Sequence, residues 1–224
     1  MNRSARRAFP LFLVLLAASH ALFAADPSPS LRFEKEIKAY EAADEKNPPP
    51  EGAILFTGAS GIRRWTTPQE DFPEHKVINR GFGGCGMGDV VYYADRIVIP
   101  YKPKLIVVQA GGNDLNSGKT PQQVLADFQA LVDKVRAKLP ETRIAYLSIN
   151  PSPARWTQVE KQNEANRLVK EYVAKGQNLD YIDLYDAFIG SDGKPREELF
   201  VADRQHHNAE GYKVRTQIVK PHLP

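Results

Sequence analysis

The 224-residue sequence predicts an α/β fold in which a five-stranded, mainly parallel sheet carries helices on both faces. Five short apolar runs alternate with segments of helical spacing. The runs are near-continuously apolar, the pattern of strands buried on both sides. Glycines and polar residues follow several of them, and in open sheets of this kind ligands bind beyond the carboxyl ends of the strands.

The chain opens with Arg3, Arg6 and Arg7, an apolar run from Phe9 to Ala18, and small residues at Ala21, Ala24 and Ala25. That is the layout of a secretory signal peptide over residues 1–24, with cleavage expected after Ala24 and Ala21 as the rival position. The run is short for a transmembrane helix, so no stable span is expected after cleavage, with an uncleaved N-terminal anchor as the minority alternative. Residues 1–24 hold three of the 30 Lys and Arg and none of the 27 Asp and Glu, which leaves 27 against 27 in the remainder. A balanced chain without a polybasic block gives no electrostatic reason to expect nucleic acid or anionic lipid as partner. Cys85 is the single cysteine, so neither an internal disulfide nor a cysteine-based metal site is available, and no cysteine follows the apolar run to take a lipid. The expected product is exported, to a periplasm or outside the cell.

Residues 25–52 read as a linker and an N-terminal helix. Pro27 to Ser30 form the linker, and Leu31 to Glu45 place Phe33, Ile37 and Tyr40 on one helical face before Pro48-Pro49-Pro50 stops the helix. This helix either covers the sheet or mediates contacts between copies; monomer and homodimer both stay open. Strands are expected at Ala53 to Thr57, Lys76 to Asn79, Lys104 to Gln109, Arg143 to Ile149 and Tyr181 to Leu184. The clearest helix is Pro121 to Lys138, where Val124, Leu125, Phe128, Leu131, Val132 and Val135 keep helical spacing. Thr120, Pro121 and Gln123 supply its N-cap, first-turn proline and capping-box partner. Residues 53–224 are expected to form one domain.

Four segments bring polar groups to one edge of this sheet: Gly58-Ala59-Ser60-Gly61, Gly81 to Gly86, Gly111-Gly112-Asn113-Asp114, and Asp203 to His206. The set matches acyl transfer. A serine hydroxyl attacks a carbonyl, a histidine takes its proton, and an aspartate three residues before that histidine orients the imidazole. The backbone amides of Ser60 and Gly84 and the side-chain amide of Asn113 are the candidate donors to the oxyanion that builds up. Each feature alone has a plainer reading, since Ser60 suits a helix N-cap, the glycines a loop, and Asp-x-x-His a surface turn.

Together, Ser60, Gly84, Asn113 and His206 resemble the four residue types that name the SGNH hydrolases, the GDSL-type esterases and lipases. ILFTGASGIRRW, INRGFGG, GGND and FVADRQHHNAEGY resemble the family's four blocks. The resemblance implies a flavodoxin-like three-layer α/β/α sandwich, a catalytic domain over 53–224, and a serine esterase working without metal or other cofactor. It assigns Ser60 as nucleophile, Asp203 and His206 as acid and base partners, and Gly84 and Asn113 as oxyanion donors. Ala59 stands where many members have aspartate, as in the subgroup similar to platelet-activating-factor acetylhydrolase and to carbohydrate acetylesterases. The implied substrate is a small-molecule or glycan ester with a short acyl group such as acetate. Arg63, Trp65, Met87 and Trp156 are candidates for lining its site.

Other readings fit less well. Gly81 to Gly86 satisfies G-x-G-x-x-G, but the strand after it ends at Gln109 where a dinucleotide ribose needs an acidic residue. A metal site from Asp114, Asp203, His206 and His207 would need two adjacent histidines to point the same way, and His207 is assigned a structural role. An α/β-hydrolase elbow G-x-S-x-G is excluded by Ile62. The alternative from another class is a non-catalytic glycan-binding module on an SGNH-like fold, whose mark would be a missing triad residue.

Overall fold

The computed structural model describes residues 31–224; the segment 1–24 read as a signal peptide lies outside them. Five strands, β1 (Ile54–Gly58), β2 (Val77–Gly81), β3 (Leu105–Gln109), β4 (Arg143–Leu147) and β5 (Leu179–Ile182), form one sheet in the order β2-β1-β3-β4-β5. Every pairing is parallel. The helices are α1 (Glu34–Lys46), α2 (Ser60–Arg63), α3 (Pro68–Asp71), α4 (Met87–Ile97), α5 (Gly112–Asn116), α6 (Pro121–Arg136), α7 (Val159–Val173) and α8 (Ala209–Val219). This is the doubly wound, flavodoxin-like order, whose direction of winding reverses between β1 and β3.

Side chains along a strand alternate between the faces, so a strand rich in apolar residues at every position serves two cores. Leu55, Ile106, Val108, Ile144 and Tyr146 enter one core with residues of α1, α4, α6 and α7. Ile54, Phe56, Leu105, Val107, Ala145 and Leu147 enter the other, with Ile62, Trp65, Phe72, Phe188 and Val219. The three layers follow from this alternation. Among the described residues no helix is long and apolar enough to cross a membrane.

Strand limits differ from those expected, each for a local reason. β1 and β2 run on to Gly58 and Gly81, which pair with each other. β4 stops at Leu147 because the buried Asn166 carboxamide takes over the backbone of Ile149, accepting its N–H at 2.9 Å and donating to its carbonyl at 2.8 Å. β5 starts two residues early at Leu179, paired with Ile144, and ends at Ile182, where the chain leaves the sheet and the Leu184 amide turns to Ser148 Oγ. The helix expected from Leu31 begins with a 3-10 turn, Leu31–Phe33, before α1. The helix beginning at Pro121 ends at Arg136 and carries the expected capping box, with Gln123 N–H on Thr120 Oγ1 and Thr120 N–H on Gln123 Oε1.

The first helix covers the sheet. Ile37 is fully buried and Phe33 nearly so, in the same core as α4. Arg96 on α4 grips Glu41 with two nitrogens at 2.7 Å and Glu34 with a third at 2.8 Å. Ile37→Ala is therefore expected to cost about 2–5 kcal/mol of stability, measured by urea unfolding. A loss below about 0.5 kcal/mol would show α1 to be an appendage to the folded unit instead of a part of it.

Candidate active site

The winding reversal places the ends of β1 and β3 side by side at a crevice, and Ser60 and Asn113 stand just beyond them. Ser60 is the first residue of α2. No carboxamide or hydroxyl caps that helix, and the Ser60 amide makes no hydrogen bond among the described residues. The hydroxyl turns instead to His206, whose Nε2 lies 2.8 Å from Ser60 Oγ. On the other side of the ring, His206 Nδ1 lies 2.6 Å from Asp203 Oδ2. Ser60, His206 and Asp203 form one hydrogen-bonded line across residues far apart in sequence.

The turn that makes this line is locally determined. Asp203 Oδ1 accepts the backbone N–H groups of Gln205 and His206, each at 2.9 Å, and Arg204, directly after Asp203, sits at φ 57. A left-handed non-glycine residue is sparsely populated and is held here by its surroundings: Arg204 N–H donates to Val201 O and Val201 N–H to His206 O, both at 2.8 Å. Burial works to raise the Asp203 carboxyl. The His206 amide, its imidazole and the Gln205 amide outweigh this and hold the carboxyl well below the usual carboxylate range. Arg64 adds a longer ion pair at 3.5 Å. An ionised Asp203 orients the ring and leaves Nε2 to take the serine proton.

Of the three proposed oxyanion donors, Ser60 and Asn113 border one hollow, and Gly84 borders the neighbouring cleft that Asn113 also lines. Gly84 has φ +82 and its amide, like that of Ser60, makes no hydrogen bond among the described residues. Asn113 Nδ2 donates to Cys85 O at 2.9 Å, which binds the Asn113 helix to the Gly84 loop. A carboxamide nitrogen has two protons, so one remains for a ligand. Asp114 ties the same elements together, accepting the Met87 amide at 3.0 Å and pairing with Lys119 at 3.3 Å. The Cys85 thiol is fully buried and burial pushes it well up, which keeps it protonated and unreactive.

The four residues expected to line the substrate site fare differently. Trp65 is a core residue, 1% exposed, packed on Phe56, Phe72 and Tyr212 with its indole N–H on Asp71. Met87 is likewise completely buried, beneath the loop that carries Gly84. Neither offers a surface to substrate. Arg63 pairs with Glu36 on α1 and lies against Gly83, outside the wall of the hollow at Ser60. Trp156 is half-buried on a 3-10 turn and lies outside the wall of the hollow at Ser60. That wall is instead formed by residues the sequence reading misses, among them Gln109, Asn150, Arg155, Gln162 and Arg215. Trp156 is the candidate that the sequence offers here, and it is its neighbour Arg155 that reaches the hollow.

His207 has its own place, separate from the acid–base line. It is 7% exposed, stacked on Phe188 at 4.4 Å, with Nε2 3.1 Å from Asn150 Nδ2. Asn150 is also within 3.4 Å of Gln109 Nε2, and Gln109 Oε1 accepts from Arg215 at 2.7 Å. Burial first, then the charges of Arg215 and His206, depress the His207 pKa well below its ordinary value.

The GDSL-like Lipase/Acylhydrolase family model matches residues 53–214. Platelet-activating factor acetylhydrolase IB subunit alpha1 of Homo sapiens is 29% identical over 160 residues, covering 67% of this chain and 66% of that protein. The chain thus spans just under two thirds of that relative's length. Among solved structures, a GDSL-like lipase from Bacteroides thetaiotaomicron superposes with a TM-score of 0.70 at 19% identity, covering 83% of this chain and 96% of the other. An Axe2 mutant, an acetyl-xylooligosaccharide esterase from Geobacillus Stearmophilus, superposes with a TM-score of 0.61 at 16% identity, covering 76% and 94%. At these identities the two structures speak for the fold.

The buried neutral His207 makes stability depend on acid. Its folded pKa lies below its unfolded value of about 6.5, so below that pH the unfolded chain binds one more proton than the folded one. The contribution is full above about pH 6.5 and is lost as pH falls, by up to about 1.4 kcal/mol per pH unit. In urea unfolding between pH 7.5 and 5, the stability difference between parent and His207→Phe should shift in the variant's favour on acidification. A difference that stays constant would mean that His207 is protonated inside the fold.

Proposed function

The chain belongs to the GDSL-like lipase/acylhydrolase family, and from that premise we propose that it is an exported serine esterase acting through an acyl-enzyme. The observation that carries the proposal is the line Ser60 Oγ, His206 Nε2 at 2.8 Å, His206 Nδ1, Asp203 Oδ2 at 2.6 Å. In the first half-reaction, His206 accepts the Ser60 proton as Oγ bonds to the ester carbonyl carbon. The Ser60 and Gly84 amides and Asn113 Nδ2 stabilise the oxyanion, and His206 returns the proton to the departing alcohol. Water, deprotonated by the same imidazole, then releases the acid.

The proposed substrate is a short acyl ester of a carbohydrate or similar polar alcohol. Two features support this. The hollow at Ser60, about 80 Å³ and bounded by Ala59, Asn113, Ile149 and Arg155, has room for an acetyl group. Asn113 also borders a second, larger cleft of about 550 Å³, where Asp89, Asn116, Ser117 and Asp127 offer hydrogen-bonding groups to a polyhydroxylated alcohol. The acetylated sugar named for the Axe2 relative is of this kind. Export rests on the residues Arg3 to Ala25.

Hydrolysis of p-nitrophenyl acetate, butyrate and octanoate by the purified protein tests the reading, with Ser60→Ala in parallel. The parent should turn over acetate fastest and octanoate slowest, and kcat should fall by at least about 10⁴-fold in Ser60→Ala. Equal inactivity of both proteins on these esters and on acetylated sugars would move the glycan-binding alternative ahead.

A further inference from the structure

Arg155 lies beside Ser60 and His206 and takes no part in the proton transfers just described. Its Nη2 donates to Asn113 Oδ1 at 2.9 Å, while Asn113 Nδ2 donates to Cys85 O at 2.9 Å. The carboxamide is therefore gripped at both ends. Arg155 has no carboxylate partner among the described residues, and its half-buried guanidinium faces the same hollow as the nucleophile. Burial depresses its pKa from the ordinary arginine value, though a guanidinium stays charged at any working pH.

The backbone around it reaches both halves of the site. Arg155 belongs to the 3-10 segment Pro153–Gln158 and breaks its helical geometry at φ −119, ψ 20. The preceding Ala154 N–H donates to Arg204 O at 2.9 Å, within the turn that carries Asp203 and His206. Gln158 Nε2 donates to Asn116 Oδ1 at 2.8 Å, on the helix that carries Asn113.

A carboxamide has two orientations of similar shape, and only one suits an oxyanion. With Oδ1 toward the reacting carbonyl, Asn113 would repel the developing charge. With Nδ2 there it donates. Arginine has donors and no acceptor, so it binds the oxygen end alone and selects the second orientation. Its positive charge sits at the oxygen end of the same carboxamide and favours negative charge nearby.

We propose that Arg155 is a positioning residue for ester hydrolysis, holding the Asn113 carboxamide by its oxygen so that the remaining Nδ2 proton stays directed at the oxyanion. This deepens the esterase reading and rests on it.

The test is a double-mutant cycle on p-nitrophenyl acetate with Arg155→Met, Asn113→Ala, their combination and Arg155→Lys, with thermal unfolding followed alongside. Direct loss of one oxyanion donor costs roughly a hundred- to a thousandfold in kcat, and Arg155→Met should lower kcat by about tenfold or more with KM within about twofold of the parent. Added to Asn113→Ala, it should change kcat little further. Losses that multiply in the double variant, or a raised KM at parental kcat, would overturn the proposal, the latter by making Arg155 a direct substrate contact. Should Arg155→Met not fold, Arg155→Lys decides: intermediate kcat at parental KM supports the brace, and parental kcat overturns it. A parent inactive on every ester overturns the esterase reading and this inference with it, whereas an active parent with an unaffected Arg155 variant overturns only the inference.

Discussion

The end of β1 lies against the end of β3 more closely than any side chain would allow, and the candidate site is built on that contact. Ala59 N–H donates to Gln109 O at 2.9 Å, and a Cβ added at Gly58 would stand 2.0 Å from that same oxygen. Gly58 also takes φ +125, a conformation that residues with side chains rarely adopt. The glycine thus permits the chain to leave the first strand sharply, so that Ser60 begins a helix over the sheet edge. Asn113, four residues beyond Gln109, is brought to the same crevice by the strand on the other side of the winding reversal.

A buried polar layer behind the crevice keeps these pieces in register. Arg215 is 1% exposed, and burial pushes its pKa down to about 10. It donates to Gly61 O at 2.9 Å and to Gln109 Oε1 at 2.7 Å, and its guanidinium lies 5.6 Å from the Trp65 and Tyr212 rings. One side chain of α8 thereby grips the helix that begins at Ser60 and the end of β3 at once. A buried charge is costly unless hydrogen-bonded, and breaking such an arrangement from one side is worse than never building it. From Gln109 the layer continues to Ser148 O and Asn150, and from Asn150 to His207. It ends one residue from His206.

Much of this arrangement was legible in the sequence, and what was hidden has a common cause. Apolar runs separated by helical spacing give the layer order, because burial on both faces demands it of each strand; the alternation of Ile54, Leu55 and Phe56 between two cores is the same fact seen in space. Ser60, Asp203 and His206 stand out because their chemistry needs those types at chain turns. Trp65 and Met87 misled because proximity in sequence to Ser60 and the Gly84 loop says nothing about direction, and both point into the core. Arg155 and Arg215 were invisible for the opposite reason. Their partners, Asn113 and Gln109, lie 42 and 106 residues away, and no local pattern marks a cation that binds a carboxamide instead of a carboxylate. β4 ended early for a similar reason, since the residue that replaced its ladder, Asn166, lies on a later helix.

On the proposed reading, Ser60 is the nucleophile because His206 activates it, and among the described residues no other hydroxyl contacts the His206 ring. Reaction with a fluorophosphonate, followed by intact mass and peptide mapping, reads this directly, since the serine oxygen displaces fluoride and keeps the phosphonyl group. One adduct per chain is expected, on the peptide containing Ser60, formed by the native protein and abolished in the denatured one or when His206 is replaced by Ala. No adduct on the folded protein, or an adduct at another residue with Ser60 unmodified, would contradict it.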